Sequence, residues 1–201
     1  MSGTRYLLTQ SLLAAWNYLY TSVDIQKAET DFIRVLRREP GETNQAMHDG
    51  IEFEDLVTAY IGGCHPSPKH KWYNAICEAG EIVQGAEPQV KVYREANIDG
   101  VNFLLYGRID YLRAGVIYDT KFSHGYYVGK YLNSPQHPMY FACEPGAYRF
   151  VYIVSDGRSV FREEYLRKET PSIESIVPHF LRYLDDTGLR DTYYQHWRSS
   201  Q

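Results

Sequence analysis

The spacing of apolar residues divides the first third of the chain into helical segments. Apolar side chains recur with a helical period over residues 9–20, 24–38 and about 44–60, and Gly62-Gly63 ends the third segment. We therefore predict three helices. Glu54 falls among the core-facing positions of the third helix, and Glu52 and Asp55 are alternative acids on the same helix.

The middle of the chain changes to a strand-like pattern. Residues 89–95, 101–113 and 116–122 are rich in Val, Ile, Leu, Tyr and Phe. Asp99-Gly100 and Ala114-Gly115 separate these runs and are typical of tight hairpin connections. The pattern predicts an antiparallel meander of three strands.

The last third mixes both patterns. Residues 126–143 have helical character in spite of two prolines, strands are predicted at 148–154 and 160–166, and a helix at 172–184 is expected to close the chain. This order predicts an α/β fold with a mixed central β-sheet flanked by α-helices.

No repeat or flexible linker interrupts the chain, so we expect a single domain over residues 1–201. Within it we expect N-terminal helices at 8–40, a core at about 44–166 and a C-terminal helix at about 172–186.

Composition narrows the setting and the partners. With 201 residues and 44% hydrophobic content the chain can bury a full core. Its three cysteines are odd in number and widely spaced, which favours a reducing, cytoplasmic location over a disulfide framework. A leader pattern and an apolar run of about 18 residues are both missing from the sequence, so we expect neither secretion nor a membrane span.

The formal net charge of -4 excludes a broadly cationic nucleic-acid binder. Any nucleic acid must therefore be held by a local patch or groove. Two basic stretches are the candidate phosphate-binding patches: Lys69, His70 and Lys71 beside Trp72, and Arg34, Arg37 and Arg38.

Two carboxylates and one ammonium stand where two neighbouring strands should meet. Asp110 follows the apolar run 103–105, and Asp119 is followed two residues later by Lys121. Carboxylates at close range repel one another unless a divalent cation lies between them or one takes up a proton. The cluster predicts metal-dependent phosphodiester chemistry, and the alternative is a solvated strand face.

The chain resembles the PD-(D/E)xK nuclease superfamily, and within it the RecB-like and lambda-exonuclease-like branch. Four motifs carry the resemblance, in the family's order: Gly50-Ile51-Glu52-Phe53-Glu54, Gly107-Arg108-Ile109-Asp110, Asp119-Thr120-Lys121 and Gln136-His137-Pro138-Met139-Tyr140. In addition, residues 9–13, which contain Ser11, are similar to the serine-bearing opening helix of RecB-like nucleases.

The resemblance implies a restriction-endonuclease-like core with the element order αβββαβ. It also implies a catalytic set of Glu54, Asp110, Asp119 and Lys121. The ligands of Mg²⁺ (or Mn²⁺) would be Asp110, Asp119, the backbone carbonyl of Thr120, and Glu54. Lys121 would orient the attacking water or stabilise charge on the phosphate. Gln136, Tyr140 and Ser11 are the candidate substrate-binding residues, where Gln136 and Tyr140 hold either the DNA backbone or the scaffold.

We therefore expect a metal-dependent deoxyribonuclease, and most specifically an exonuclease acting on linear DNA in recombination, repair or the processing of phage or foreign DNA. A recombination or phage protein is a possible partner. The alternatives are a structure- or site-specific endonuclease, and a DNA-binding or assembly subunit without turnover. Tyr126, Tyr127 and Tyr131 are candidates for stacking on unpaired bases, with ordinary core or surface packing as the alternative.

Overall fold

The computed structural model describes residues 4–41 and 43–199. The chain is a mixed α/β protein in which a six-stranded mixed sheet is flanked by helices. The elements in chain order are β1 Arg5–Thr9, α1 Gln10–Tyr18, α2 Ile25–Leu36, α3 Gln45–Ile61, α4 Tyr73–Val83, β2 Glu87–Ile98, β3 Val101–Arg113, β4 Val116–Phe122, α5 Gln136–Cys143, β5 Arg149–Ser155, β6 Val160–Leu166, α6 Ile173–Asp186 and α7 Arg190–His196.

The predicted meander is confirmed, since β2 pairs with β3 and β3 with β4, both antiparallel. β3, β4 and β6 have the predicted bounds, and β2 is longer than expected. Three elements were missed, namely β1, α4 and α7, so α6 does not close the chain. The helix expected over residues 126–143 is shorter, because α5 begins at Gln136. Pro138 fits its first turn, where a backbone N–H has no partner within the helix.

β3 is the central strand, and its pairing explains where the sheet opens. Along one edge it pairs with β2 over nearly its whole length. Its other edge is shared, because β1 runs parallel to residues 102–106 and β4 pairs antiparallel with residues 111–113. Residues 107–110 lie between these two partners, so the sheet forks at this point. β4 then continues the sheet through parallel β5 to antiparallel β6.

Buried side chains form two apolar clusters on the two faces of the sheet. Along β5, Phe150 and Tyr152 belong to the larger cluster and Val151 and Ile153 to the smaller, which is the alternation of a strand buried on both faces. Helices α1, α2, α5, α6 and α7 contribute to the larger cluster, and α3 and α4 to the smaller.

β3 changes face beside the fork. Ile109 packs in the larger cluster and Tyr111 in the smaller, although residues two apart on a regular strand share a face. The change falls at Asp110. Across from it on β2 lies Gln89, whose neighbours Pro88 and Val90 pair with Tyr111 and Ile109. Gln89 has a φ of 57°, a left-handed conformation unusual for a residue with a side chain.

Within the described residues, every helix is too short or too polar to cross a membrane. Cys64, Cys77 and Cys143 are free thiols.

Candidate active site at the fork of the sheet

Asp110 bridges the gap between β3 and β4. The two strands pair at Tyr111 and Tyr118 and then separate. In place of a strand-to-strand hydrogen bond, the Asp110 carboxylate accepts a hydrogen bond from the Thr120 backbone N–H at 3.0 Å, and the Thr120 hydroxyl lies 3.4 Å from the same oxygen. The separation of the strands is therefore what aims Asp110 toward β4.

Asp119 is the most deeply placed acid of the cluster, with 1% of its surface exposed. Its Oδ1 accepts a short hydrogen bond from the side-chain amide of Gln136 on α5. Its Oδ2 lies 2.5 Å from Lys121 Nζ, a contact that is an ion pair rather than an aligned hydrogen bond. Among the described residues no other donor reaches this buried oxygen. The Lys121 ammonium is thus the one described partner of Asp119 Oδ2.

Glu54 enters the cluster from α3. Its carboxylate accepts a hydrogen bond of 2.6 Å from Gln89 Nε2, and its backbone carbonyl accepts one from the Tyr111 hydroxyl at 3.3 Å. Tyr111 therefore fastens α3 to the central strand beside Asp110. The alternative acids of this helix, Glu52 and Asp55, are exposed.

The cluster carries more negative charge than the protein neutralises. Burial raises the pKa of Asp110 well above its ordinary value, and the neighbouring Asp119 raises it further. Burial also raises the pKa of Glu54, to which Asp119 adds. Burial opposes the charge of Lys121, yet Asp119 and Asp110 raise the pKa of its ammonium above the ordinary value. These mutual effects place the three acids and the lysine within electrostatic range of one another.

The donor set fits a hard divalent cation by its chemistry, since the buried acceptors beside the acids that lack a hydrogen bond are oxygens, Asp119 Oδ2 and Gln89 Oε1. The acids nevertheless face protein partners in this structure. In the described part of the chain, no group of three or more His, Cys, Asp and Glu side chains has the arrangement of a metal site.

Gln136 and Tyr140 serve the scaffold rather than the surface. Both are buried, with 4% and 5% of their area exposed. The Tyr140 hydroxyl donates a hydrogen bond to the Arg108 carbonyl at 2.8 Å. Arg108 lies in the stretch of β3, residues 107–110, that pairs with neither β1 nor β4. The Tyr140 ring lies so close to Gly107 that a Cβ built on this glycine would be 2.1 Å from Tyr140 Cε1. The glycine of the second motif therefore makes room for the tyrosine of the fourth.

Their burial and hydrogen bonds favour the scaffold role, one of the two roles that the sequence left open. Substrate binding by these two side chains stays a prediction. Ser11 is exposed on the first turn of α1, where its hydroxyl lies 3.0 Å from that of Thr9. Within the described residues, Ser11 has no hydrogen bond to the acid cluster. Its substrate-binding role stays a prediction.

The sequence did not single out Gln89 or Glu163, and it named Tyr131 only as a candidate for stacking on bases. Tyr131 stacks on Tyr152, with ring centroids 4.3 Å apart, and Tyr152 is the β5 partner of Asp119. Burial raises the pKa of Tyr131 to about 12, and the charge of Lys121 opposes this rise. Gln89 and Glu163 belong to no motif, so only the fold reveals them, and the fold also shows that the Tyr131 ring packs on the protein itself.

The two basic patches are partly neutralised by acids. Lys71 lies 3.9 Å from Asp49 and 3.8 Å from Glu52, and its ammonium stands over the Trp72 ring. Arg34 pairs with Asp31 at 2.7 Å. Neither patch is thereby excluded from phosphate binding, but neither is a free cationic surface.

Comparisons with known proteins leave the family open. No protein-family model matches the chain, and no curated protein matches it. Among solved structures the chain is similar to one described as "Crystal structure of SSO0001", with 18% sequence identity and a TM-score of 0.49, over 94% of this chain and 78% of that chain. At this identity and TM-score the likeness carries no argument about family or activity.

Proposed function

We propose that this protein is a Mg²⁺-dependent deoxyribonuclease with a restriction-endonuclease-like core, and most specifically an exonuclease acting on linear DNA. One observation carries the proposal. Glu54, Asp110, Asp119 and Lys121 come from α3, β3 and β4, and they meet where the sheet forks. The charges of the cluster do not balance, since three carboxylates face the Lys121 ammonium and, at Glu54, the Arg108 guanidinium.

The order of elements supports the same core. α3, β2, β3, β4, α5 and β5 follow one another in the sequence αβββαβ, with α4 inserted between α3 and β2. The three strands form the antiparallel meander, and α5 delivers Gln136 to Asp119.

In this proposal Asp110, Asp119, the Thr120 carbonyl and Glu54 would hold Mg²⁺ or Mn²⁺. The bound ion would polarise the phosphate and lower the pKa of the attacking water. Lys121 would stabilise the negative charge that develops on the phosphate, for which a compact ammonium is suited. Gln136 would fix the orientation of Asp119 through its hydrogen bond. The Tyr140 ring would fill the space beside residues 107–110 of β3, so that the Asp110 side chain keeps pointing toward β4.

The preference for ends rests on the resemblance to the exonuclease-rich branch. A cytoplasmic setting, and a recombination or phage protein as partner, belong to the same proposal. An exonuclease, a structure- or site-specific endonuclease and a DNA-binding subunit without turnover give different products from DNA, so an assay of the products distinguishes them.

The test is digestion of end-labelled single-stranded and double-stranded linear DNA beside a covalently closed circle, with Mg²⁺, Mn²⁺ or EDTA. We expect loss of label from linear DNA only with metal, and an intact circle. Asp119→Ala should lower the rate by roughly 1000-fold or more, because it removes a ligand and the partner of Lys121. Asp186→Ala is the control, since Asp186 is an exposed acid at the end of α6.

Three outcomes would contradict parts of the proposal. Full activity of Asp119→Ala would remove the site assignment. Cleavage of the circle into discrete fragments, with linear DNA of random sequence left intact, would establish an endonuclease. DNA binding without turnover under any metal would establish a binding or assembly subunit.

A further inference from the structure

The loop of residues 123–135, which connects β4 to α5, is anchored by one buried carboxylate. Glu163 lies on β6 and is 8% exposed. Its Oε2 accepts hydrogen bonds from the Tyr126 hydroxyl at 3.0 Å and the Gly129 N–H at 3.2 Å. Its Oε1 accepts from the Tyr131 N–H at 3.1 Å and from the Tyr165 hydroxyl. Four donors, three of them from the loop, therefore satisfy this carboxylate.

Further contacts fix the two ends of the loop. The Lys130 ammonium donates to the Ser123 hydroxyl at 2.7 Å and to the Gly125 carbonyl at 2.9 Å. The Tyr126 ring stacks on Phe161, with centroids 5.0 Å apart, and the Tyr131 ring stacks on Tyr152. Two of the three loop tyrosines are thus occupied by the protein itself.

The tip between these anchors is presented to solvent. Tyr127 is 66% exposed and Val128 is 89% exposed. They lie between Tyr126 and Gly129, both of which bond to Glu163. An apolar tip on a loop with so many internal bonds is held in one place, so its exposure is not the result of a loose chain. The loop begins two residues after Lys121, which places the tip on the segment that leaves the acid cluster.

The charge of this segment suits a polyanion. From Thr120 to Cys143 the chain has no Asp or Glu, whereas it carries Lys121 and Lys130. This is an unusual stretch in a chain whose formal net charge is -4. A phosphate backbone that reaches the cluster would meet cations and no acids along the loop.

We propose that Tyr127 and Val128 form the docking surface for an unpaired base at the end of the DNA strand, and that Glu163 is the residue that positions this surface. The inference rests on the proposed nuclease function and names its substrate, a strand end with unstacked bases. An exposed aromatic ring on an anchored loop accepts bases of any sequence, because every base offers a face for stacking.

The first experiment measures docking without cleavage. A single-stranded oligonucleotide with 2-aminopurine at its end is titrated into Asp119→Ala protein with Mg²⁺, and affinity is followed by anisotropy and stacking by the quenching of 2-aminopurine. Adding Tyr127→Ala should weaken binding about 10-fold and abolish the quenching, whereas Tyr127→Trp should keep both. Tyr93→Ala is the matched control, because Tyr93 is 70% exposed on β2.

The second experiment tests the anchor. Glu163→Gln should weaken binding and quenching in the same way and make the loop sensitive to limited proteolysis. Glu164→Gln is the control, since the neighbouring Glu164 is exposed and pairs with Arg149 at 3.3 Å. In wild-type background, Glu163→Gln should raise KM for single-stranded ends more than it lowers kcat.

The outcomes separate this inference from the proposed function. If Tyr127→Ala binds and quenches like its parent, or if Tyr93→Ala loses as much, the docking surface is wrong even when the protein cleaves DNA. If wild-type protein docks a base through Tyr127 and never cleaves, the docking surface stands and the nuclease proposal falls. Absence of any DNA binding would overturn the docking surface, whether or not Glu163→Gln folds.

Discussion

The protein buries carboxylates in two regions that differ in how the negative charge is compensated. Glu163 receives four hydrogen bonds, which come from neutral groups of the loop and of β6. At the fork of the sheet, Asp110, Asp119 and Glu54 instead lie within range of one another, and the pKa values of Asp110 and Glu54 rise through burial and through Asp119. A carboxylate that is fully bonded by its own chain stabilises structure. A group of acids that repel one another costs stability, and such a group is typical of a ligand-binding site.

The largest expected effect lies in the fork region. If the proposed mechanism is right, Lys121→Ala should lower the rate of DNA hydrolysis roughly 100- to 1000-fold and leave Mn²⁺ affinity near normal, because the proposal assigns the ammonium to the transition state and not to metal binding. Single-turnover kinetics and titration calorimetry measure the two quantities. Lys168→Ala is the control, since that side chain is 77% exposed. Loss of Mn²⁺ binding together with normal turnover of loaded enzyme would contradict this role.

The second expected effect concerns residues 107–110 of β3, where the Tyr140 ring packs against Gly107. Gly107→Ala would place a Cβ 2.1 Å from the Tyr140 ring, so we expect the free energy of unfolding to fall by about 2 to 3 kcal/mol. Gly50→Ala is the matched control, because a Cβ there meets no atom within 4 Å and α3 should gain up to about 1 kcal/mol. Urea unfolding measures both. Equal stability of the two variants would mean that the ring moves aside without cost.

Periodicity predicted the regular parts of this fold and failed where tertiary contacts decide. β3 and β4 are long apolar runs between glycine turns, and their bounds were read from the sequence alone. β1 has only five residues and leads directly into α1, so its pattern merges with that of the helix. α7 is stabilised by contacts with the N-terminal region, such as the Tyr193 hydroxyl to the Leu7 carbonyl at 2.9 Å, which no local pattern encodes.

The same division holds for the site. Asp110, Asp119 and Lys121 stand in neighbouring strands, so a hairpin brings them together by local geometry. Gln89 bonds to Glu54 from a point where the backbone of β2 has a left-handed conformation, which no sequence pattern predicts. Glu163 meets the loop across 32 to 37 residues of sequence. Such partners follow from the register of the whole sheet and not from a motif.

The third expected effect comes from neutralising Glu163, the carboxylate that accepts four hydrogen bonds. Glu163→Gln replaces one acceptor oxygen with an amide group that opposes the N–H donors of Gly129 or Tyr131. We expect the free energy of unfolding to fall by about 2 kcal/mol, whereas Glu164→Gln should change it by less than about 0.5 kcal/mol. Thermal unfolding with EDTA measures the difference. An equal, small effect in both variants would mean that the four bonds to Glu163 are not a structural anchor.

The smallest expected effect is a gain in stability, and it comes from neutralising Asp110 at the fork of the sheet. Asp110→Asn keeps an oxygen for the Thr120 N–H and removes a charge that faces Asp119, so metal-free protein at pH 7 to 8 should gain about 1 kcal/mol.

The pH dependence of that gain follows from the direction of the pKa shift. The folded pKa of Asp110 is raised above its ordinary value of 3.8. Between these two values the folded state binds more protons than the unfolded state, so the stability that is fully present below about pH 4 is lost as the pH rises through the folded pKa. The advantage of Asp110→Asn should therefore vanish near pH 4 and grow with pH, with Asp186→Asn as the control. Adding Mg²⁺ should stabilise the wild type more than the variant, because the ion takes over the neutralisation. A variant that is destabilised equally at pH 4 and pH 8 would show that Asp110, like Glu163, is held for structure, and the contrast between the two regions would disappear.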